Sequence, residues 1–418
     1  VEVELISQPV SGYQEWIKTR FASDQAPTIE SNHATVIGEQ YKQGLTVDLK
    51  EALEGENPYD KKIWKDCFVD GKLEQATDYT QPWHVALPLF DLGVAYYYNM
   101  DLYEKLNLKI PETWNEFIHN CEVIEQDGTN PIAFMAQKKD AVVWFMWYLN
   151  TGLLGDAFLS DNNININGDC AVSNNEIAAA ISNGKIDLTT GRYKELQERF
   201  WDEVKKYAKY SQNATGFDEA AAKSQLLTGK AAHLMSGSWD IQSFMENEEN
   251  VRIGAFKLPL FTKENSEYVC GNPVIGGVQS LTVTKSAEKD PAVKEAAIDF
   301  LQFMFSKEQY KIFVDSTKQI PTVKELDVDP IFEAFQGGSV PVDNILCLDS
   351  DKMAQTPTDA VMQLLSGQDF DYADMEKKLN ENYKMWLEEY ESDGKFTKEN
   401  NYGLDELEMR GGKYEKAQ

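Results

Sequence analysis

Arginine is scarce in this chain: Arg20, Arg192, Arg199, Arg252 and Arg410 are the only five in 418 residues. They do not cluster, and no Gly-x-x-x-x-Gly-Lys-Ser/Thr phosphate loop occurs. The formal net charge is −29, so the surface repels nucleic-acid phosphates and anionic lipid headgroups, and neither is an expected partner. Cysteine is sparse and dispersed, at Cys67, Cys121, Cys170, Cys270 and Cys347, with no Cys-x-x-Cys pair. An odd, scattered set argues against a zinc site and a dense disulfide framework. Most of these thiols are expected to be free and buried, with room for one disulfide that the sequence does not name. The four histidines, His33, His84, His119 and His233, carry no ligand spacing, so no metal and no cofactor is expected. No run of about 18 apolar residues could span a membrane. Ser236-Gly237-Ser238 is not a Gly-x-Ser-x-Gly nucleophile elbow. Asn163-x-Asn165-x-Asn167-Gly168 ends its twelve-residue frame on Asn174, where a calcium loop needs Glu, so it reads as a hairpin turn.

What is abundant is aromatic. Nineteen Tyr, twenty Phe and nine Trp make up 11% of the chain, more than two modest cores require. Most of these rings are expected to pack, and some to face a ligand. The length exceeds the roughly 250–300 residues at which a single core stops growing, so two lobes are expected.

The pattern alternates strands with helices, which argues for α/β. Val1, Val3 and Leu5 alternate with Glu as in a strand. Tyr13, Trp16, Ile17 and Phe21 fall at helical spacing, followed by an extended segment from Thr28-Ile29 and a second amphipathic stretch to Gly44. Residues 85–91 and 94–99 read as two buried extended segments. Thr113-Trp114-Asn115-Glu116 has capping-box spacing, and the apolar run Ala141 to Leu154 is helical. Ile164 to Ile166 reads as a short strand closing in an Asn167-Gly168 turn. Ala220 to Leu227 is a helix that stops at Gly229, and Ala231 to Met235 a strand that breaks at Gly237-Ser238-Trp239-Asp240. Ile253 to Leu260 and Val278 to Val283 are strands. Pro291 opens a helix as a first-turn proline does, and Tyr372, Met375, Leu379, Tyr383 and Trp386 form a late helical stripe.

Several of these pieces resemble the extracellular solute-binding proteins of carbohydrate ABC importers, the maltodextrin-binding-protein class. Residues 21–27, Phe-Ala-Ser-Asp-Gln-Ala-Pro, resemble the family's A-S-G-D-A-P-D-I, with Thr28 in place of its acidic residue. Tyr98-Asn99-Met100-Asp101-Leu102-Tyr103 resembles Y-N-K-D-L-F, and Pro111 to Phe117 resembles P-K-T-W-D-E-F. Leu227 through Trp239 resembles F-x-x-G-K-A-A-M…G-S-W. The pieces occur in the family's order over most of the chain. The family ordinarily begins one strand and helix earlier than the unit that opens here, so the resemblance implies an upstream strand, helix and lipoprotein signal in the full gene product.

The resemblance implies an α/β, two-lobed periplasmic-binding-protein-like fold of type II that holds its ligand in the cleft between the lobes. The expected lobes are residues 1–90 with 276–319 and residues 91–275 with 320–418, with hinges near 89–92, 275–279 and 318–321. It further implies an extracytoplasmic, lipid-anchored monomer that captures a mono- or oligosaccharide, does no chemistry, and delivers its ligand to ABC-transporter permease subunits.

A sugar ring offers an apolar C–H face to aromatics and a hydroxyl rim to carboxylates, amides and lysines. Trp239, after Gly237 at a strand-to-helix break, is the first choice for stacking. Trp144 and Trp147, three residues apart on one helical face, are expected to divide stacking and packing between them. Trp83 precedes the crossing region and Phe90-Asp91 lies within it; Asp91 reads either as a hydroxyl acceptor or as a solvated or capping residue. Asn32 and His33 follow the early strand as polar contacts. Asp240 either touches ligand or, the favoured reading, caps its own helix. Asn272 completes the set. A phosphate or sulfate binder would need arginines and helix N-termini, and an iron binder grouped Tyr, His and carboxylates, so Tyr96-Tyr97-Tyr98 reads as strand core plus one cleft residue. Two rival classes remain: a glycoside hydrolase, which needs two carboxylates across one bond, and a surface protein that binds long polysaccharide.

Overall fold

The computed structural model describes residues 2–9, 12–77, 84–211, 213–246, 250–271, 276–336, 351–392, 394–406 and 413–414. Eight strands are present among them: β1 (Ile29–His33), β2 (Glu56–Asn57), β3 (Lys62–Ile63), β4 (Leu87–Asn99), β5 (Asn130–Ile132), β6 (Ala231–Gly237), β7 (Ile253–Phe256) and β8 (Gly276–Val283). The chain forms two compact units, Val1–Leu92 with Gly276–Asp329, and Gly93–Ile275 with Pro330–Gln418. It therefore passes from one unit to the other three times, the first time in the middle of β4.

In the first unit β8 lies between β1 and β4. β1 and β8 run antiparallel, with Ile29 opposite Val283 and His33 opposite Gln279. Ile37, Ala76, Val85, Ala86 and Val278 pack beneath them. The helix Tyr13–Ala22 forms where its spacing predicts and turns Ile17 inward. The expected strand at the start of the chain does not form: residues 2–9 join no ladder, and Leu5 is 90% exposed. Alternation makes a strand only where another edge supplies hydrogen bonds.

In the second unit the rest of β4 lies between β6 and β7 and is antiparallel to both, Val94 facing Gly237 and Tyr96 facing Phe256. β5 runs parallel to β6 on its far side. The two extended segments read around residue 92 are thus one strand, continued through Gly93. A side chain at Gly93 would bring its Cβ within 2.3 Å of the Phe335 carbonyl oxygen, so only glycine carries the strand past that point.

The helix Lys139–Leu159 is buried nearly all round from Phe145 onward. Trp114, Phe117, Phe145, Tyr148 and Tyr207 interlock around it. The Trp114 indole N–H donates to Glu203 at 2.8 Å, so this core tryptophan loses no hydrogen bond on burial. The hairpin expected at residues 164–168 is instead an irregular turn. The Asn165 amide donates to the carbonyls of Leu159 and Asp169, and the Glu176 carboxylate takes the Ile166 N–H. Short polar side chains outcompete a ladder in this way. The strand expected to run to Leu260 stops at Phe256, with only a bridge from Leu260 to Thr113 beyond it.

Candidate functional site

The site begins at the end of β6. This strand is buried along its whole length, from Ala231 to Gly237, and Tyr97 of β4 donates its hydroxyl hydrogen to the Gly237 carbonyl at 2.8 Å. The chain then breaks into a short turn, Ser238–Asp240, which folds the Trp239 indole back over Gly237. A Cβ on residue 237 would lie 2.1 Å from the indole Cη2, so this ring position requires glycine there. Trp144 comes from the second turn of the long helix. Its ring centroid is 5.3 Å from that of Trp239, with the planes inclined at 60°. Both rings, and Trp147 one turn along, are half-buried and pack against the core of the second unit.

A chain of charges runs beside the two rings. The carboxylate of Asp240 accepts from the Ser236 hydroxyl at 2.6 Å and from Lys223 at 2.6 Å. Lys223 also donates to Glu219 at 2.7 Å, and Glu219 accepts from Lys138 at 2.5 Å. Lys138 immediately precedes the long helix and holds its ammonium 5.4 Å from the Trp144 ring centroid, within reach of the ring's negative face. Burial raises the Glu219 carboxyl, but the hydrogen bonds from Lys138 and Lys223 outweigh it and hold the group ionised. Asp240 does not cap its helix, as its sequence position predicts, because its oxygens are taken by Ser236 and Lys223. Lys138, Glu219, Lys223 and Ser236 were not singled out from sequence. Only the Glu219–Lys223 spacing, one helical turn, is visible there.

The other described choices belong to the first unit. Asn32 is buried and fully engaged: it donates to Glu30 at 2.9 Å and accepts from Gln14 and the His33 N–H. His33 is exposed and lies against Gly277. Phe90 stacks on Phe313 at 6.1 Å. Asp91 is buried beside Lys72, with 2.5 Å between charged atoms, and its backbone bridges to Ile320. Desolvation raises its carboxyl pKa and Lys72 opposes the shift. The structure thus brings Trp144, Trp239 and Asp240 together, with Trp147 adjacent on the same helix. Trp83 and Asn272 lie outside the described residues.

Of the tyrosine run, Tyr96 and Tyr97 are fully buried strand core, while Tyr98 is half-buried and packs on Tyr103 and Phe256. Cys67 and Cys121 are free and buried and Cys270 is free and partly buried; Cys170 is partly buried, and Cys347 lies outside the described residues. A groove of about 620 Å³ in the first unit, lined by Ile17, Phe21, Val36 and Gln40 among others, holds none of the sequence-selected residues. No helix among the described residues is long and apolar enough to cross a membrane.

Solved structures share this architecture. RafE from Streptococcus pneumoniae in its apo form superposes with a TM-score of 0.64 at 18% identity, over 92% of this chain and 90% of that one. RafE in complex with raffinose gives 0.62 at 18% identity, over 91% and 90%. A sugar transporter protein of Bacillus licheniformis in complex with stachyose gives 0.61 at 18% identity, over 91% and 90%. At these identities the likeness establishes the two-lobed solute-binding-protein fold. In sequence, the galactooligosaccharide-binding protein of Bacillus subtilis (strain 168) is 29% identical over 104 residues, which span 24% of this chain and 22% of that protein. The match that covers most of the chain is to the family described as bacterial extracellular solute-binding protein, over residues 1–311. A fold shared over nine-tenths of the chain and a family match over most of its length agree: the chain belongs to the bacterial extracellular solute-binding protein family.

Proposed function

We propose that this protein captures a mono- or oligosaccharide outside the cytoplasm and passes it to the permease of an ABC transporter, without altering it chemically. The observation that carries this reading is the half-buried pair Trp144–Trp239, tilted at 60° beside hydrogen-bonding groups. A pyranose has the matching two-faced character, apolar C–H bonds on one side and hydroxyls at its edge. Relatives whose ligands are named, raffinose, stachyose and galactooligosaccharide, support the same class. In this reading the protein is a lipid-anchored monomer and needs no cofactor.

Titration calorimetry against a panel of galactosides and other neutral oligosaccharides is the test. One-to-one binding is expected, and Trp239→Ala should weaken it by about 1–3 kcal/mol through lost stacking and burial. A folded Trp239→Ala variant with unchanged affinity would remove the ring pair from the site. Release of reducing ends during incubation would favour a hydrolase instead, and binding only to insoluble polymer a polysaccharide-anchoring protein.

A further inference from the structure

Beside the ring pair lie two ammonium groups and two carboxylates, Lys138, Glu219, Lys223 and Asp240, joined in one line of hydrogen bonds. Two features of that line separate its members. The first is exposure: the Asp240 side chain is 6% exposed, whereas those of Lys223, Lys138 and Glu219 are 22%, 24% and 37% exposed. Asp240 is therefore the buried end that anchors the turn carrying Trp239, while Lys138 and Glu219 at the other end are within reach of solvent. The second is direction: the Lys138 ammonium reaches the face of Trp144, so the more exposed end of the line meets the ring pair.

We infer that Lys138 and Glu219 form the rim that reads the ligand's hydroxyls at the Trp144–Trp239 rings, and that their mutual neutralisation selects uncharged saccharides over acidic and amino sugars. This rests on the reading that the rings hold a sugar. A vicinal diol can donate to the Glu219 carboxylate and accept from the Lys138 ammonium without displacing either charge from its partner. Within this line a uronate meets no unpaired cation, because Glu219 occupies Lys138 and both Glu219 and Asp240 occupy Lys223. An amino sugar meets no unpaired carboxylate, for the same reason. Four charges of balanced sign thus supply strong hydrogen-bonding partners while presenting little net field.

The test compares Glu219→Gln, Lys138→Gln and the double substitution, each first shown by thermal melting to be folded. The ligands are a neutral galactooligosaccharide and one carrying a terminal galacturonate. Loss of one charge-assisted contact should weaken neutral binding about tenfold or more in each single variant. Glu219→Gln strips Lys138 of its counter-charge, so the galacturonate ligand, which the unaltered protein ignores, should now bind; adding Lys138→Gln should abolish that gain. If neutral affinity is unchanged in both single variants, or the unaltered protein already prefers the galacturonate ligand, the inference is overturned. That failure is distinct from failure of the sugar reading, which would show as no saccharide binding to the unaltered protein, or as binding insensitive to Trp239→Ala.

Discussion

His233 shows how one buried residue fixes a pH dependence that has nothing to do with ligand. It is fully buried on β6, opposite Tyr98. Its Nδ1 lies 2.9 Å from the Pro131 carbonyl oxygen and so must carry the proton, leaving Nε2 to accept from the Tyr103 hydroxyl at 2.7 Å. Both contacts suit the neutral ring. Burial drives its pKa down from 6.5 to about 3, and the Pro131 carbonyl only partly opposes this. The unfolded chain takes up a proton on this residue below about pH 6.5 and the folded chain does not. The stabilising contribution is therefore complete above pH 6.5 and declines by about 1.4 kcal/mol per pH unit as the pH falls toward 3. The imidazole resonances of His233 in the folded protein should not titrate between pH 8 and 4.5, and stability should fall more steeply with acid than in His233→Gln. A midpoint near 6.5 in the folded state would contradict the assignment. None of this was legible in the sequence, where His233 is one of four scattered histidines; the hydrogen bonds that define it come from residues about a hundred positions away or more. Asp240 departs from its expected capping role for a related reason. Its place before a helix suggests a cap, but Lys223 and Ser236 reach it first.

At the scale of elements, what could be read was what depends on neighbours in sequence. The Thr113–Glu116 capping box forms with both of its reciprocal hydrogen bonds, and Pro291 opens its helix at the first turn. The helices at 13–22 and 372–391 lie where their apolar spacing puts them. What could not be read was whether an extended segment finds a partner. Residues 2–9 find none among the described residues, and residues 164–168 spend their amides locally. The twin segments around residue 92 fuse into β4 because Gly93 lets the strand pass under the 3-10 turn Pro330–Phe335, whose Phe335 ring also packs on Tyr97 at 5.4 Å. Gly93→Ala would force a backbone carbonyl, not a flexible side chain, to retreat. An overpacking loss of about 1–3 kcal/mol is expected, read as a lower melting temperature by near-ultraviolet circular dichroism. An unchanged melting temperature would mean that the 3-10 turn shifts freely.

At the scale of the whole molecule, 69 acidic residues face 40 lysines and arginines, leaving 29 negative charges without a basic counterpart. Many of the basic groups sit in exposed pairs such as Lys311–Asp315 and Lys62–Glu325, which contribute little and are weakened by salt. The unmatched charges repel one another in the compact chain more than in the unfolded one, and salt relieves that repulsion. The second effect should win because the excess is large and spread over the surface. The screening length falls from about 30 Å at 0.01 M to about 8 Å at 0.15 M salt, so the melting temperature should rise with sodium chloride over that range and then level off. A falling melting temperature would show that the pairs outweigh the excess. Binding should behave differently: a neutral saccharide gripped by self-balanced charges releases no counterions, so its affinity should stay flat over the same range. A steep salt dependence of saccharide affinity would mean that an unbalanced charge, and not the paired rim of Lys138 and Glu219, holds the ligand.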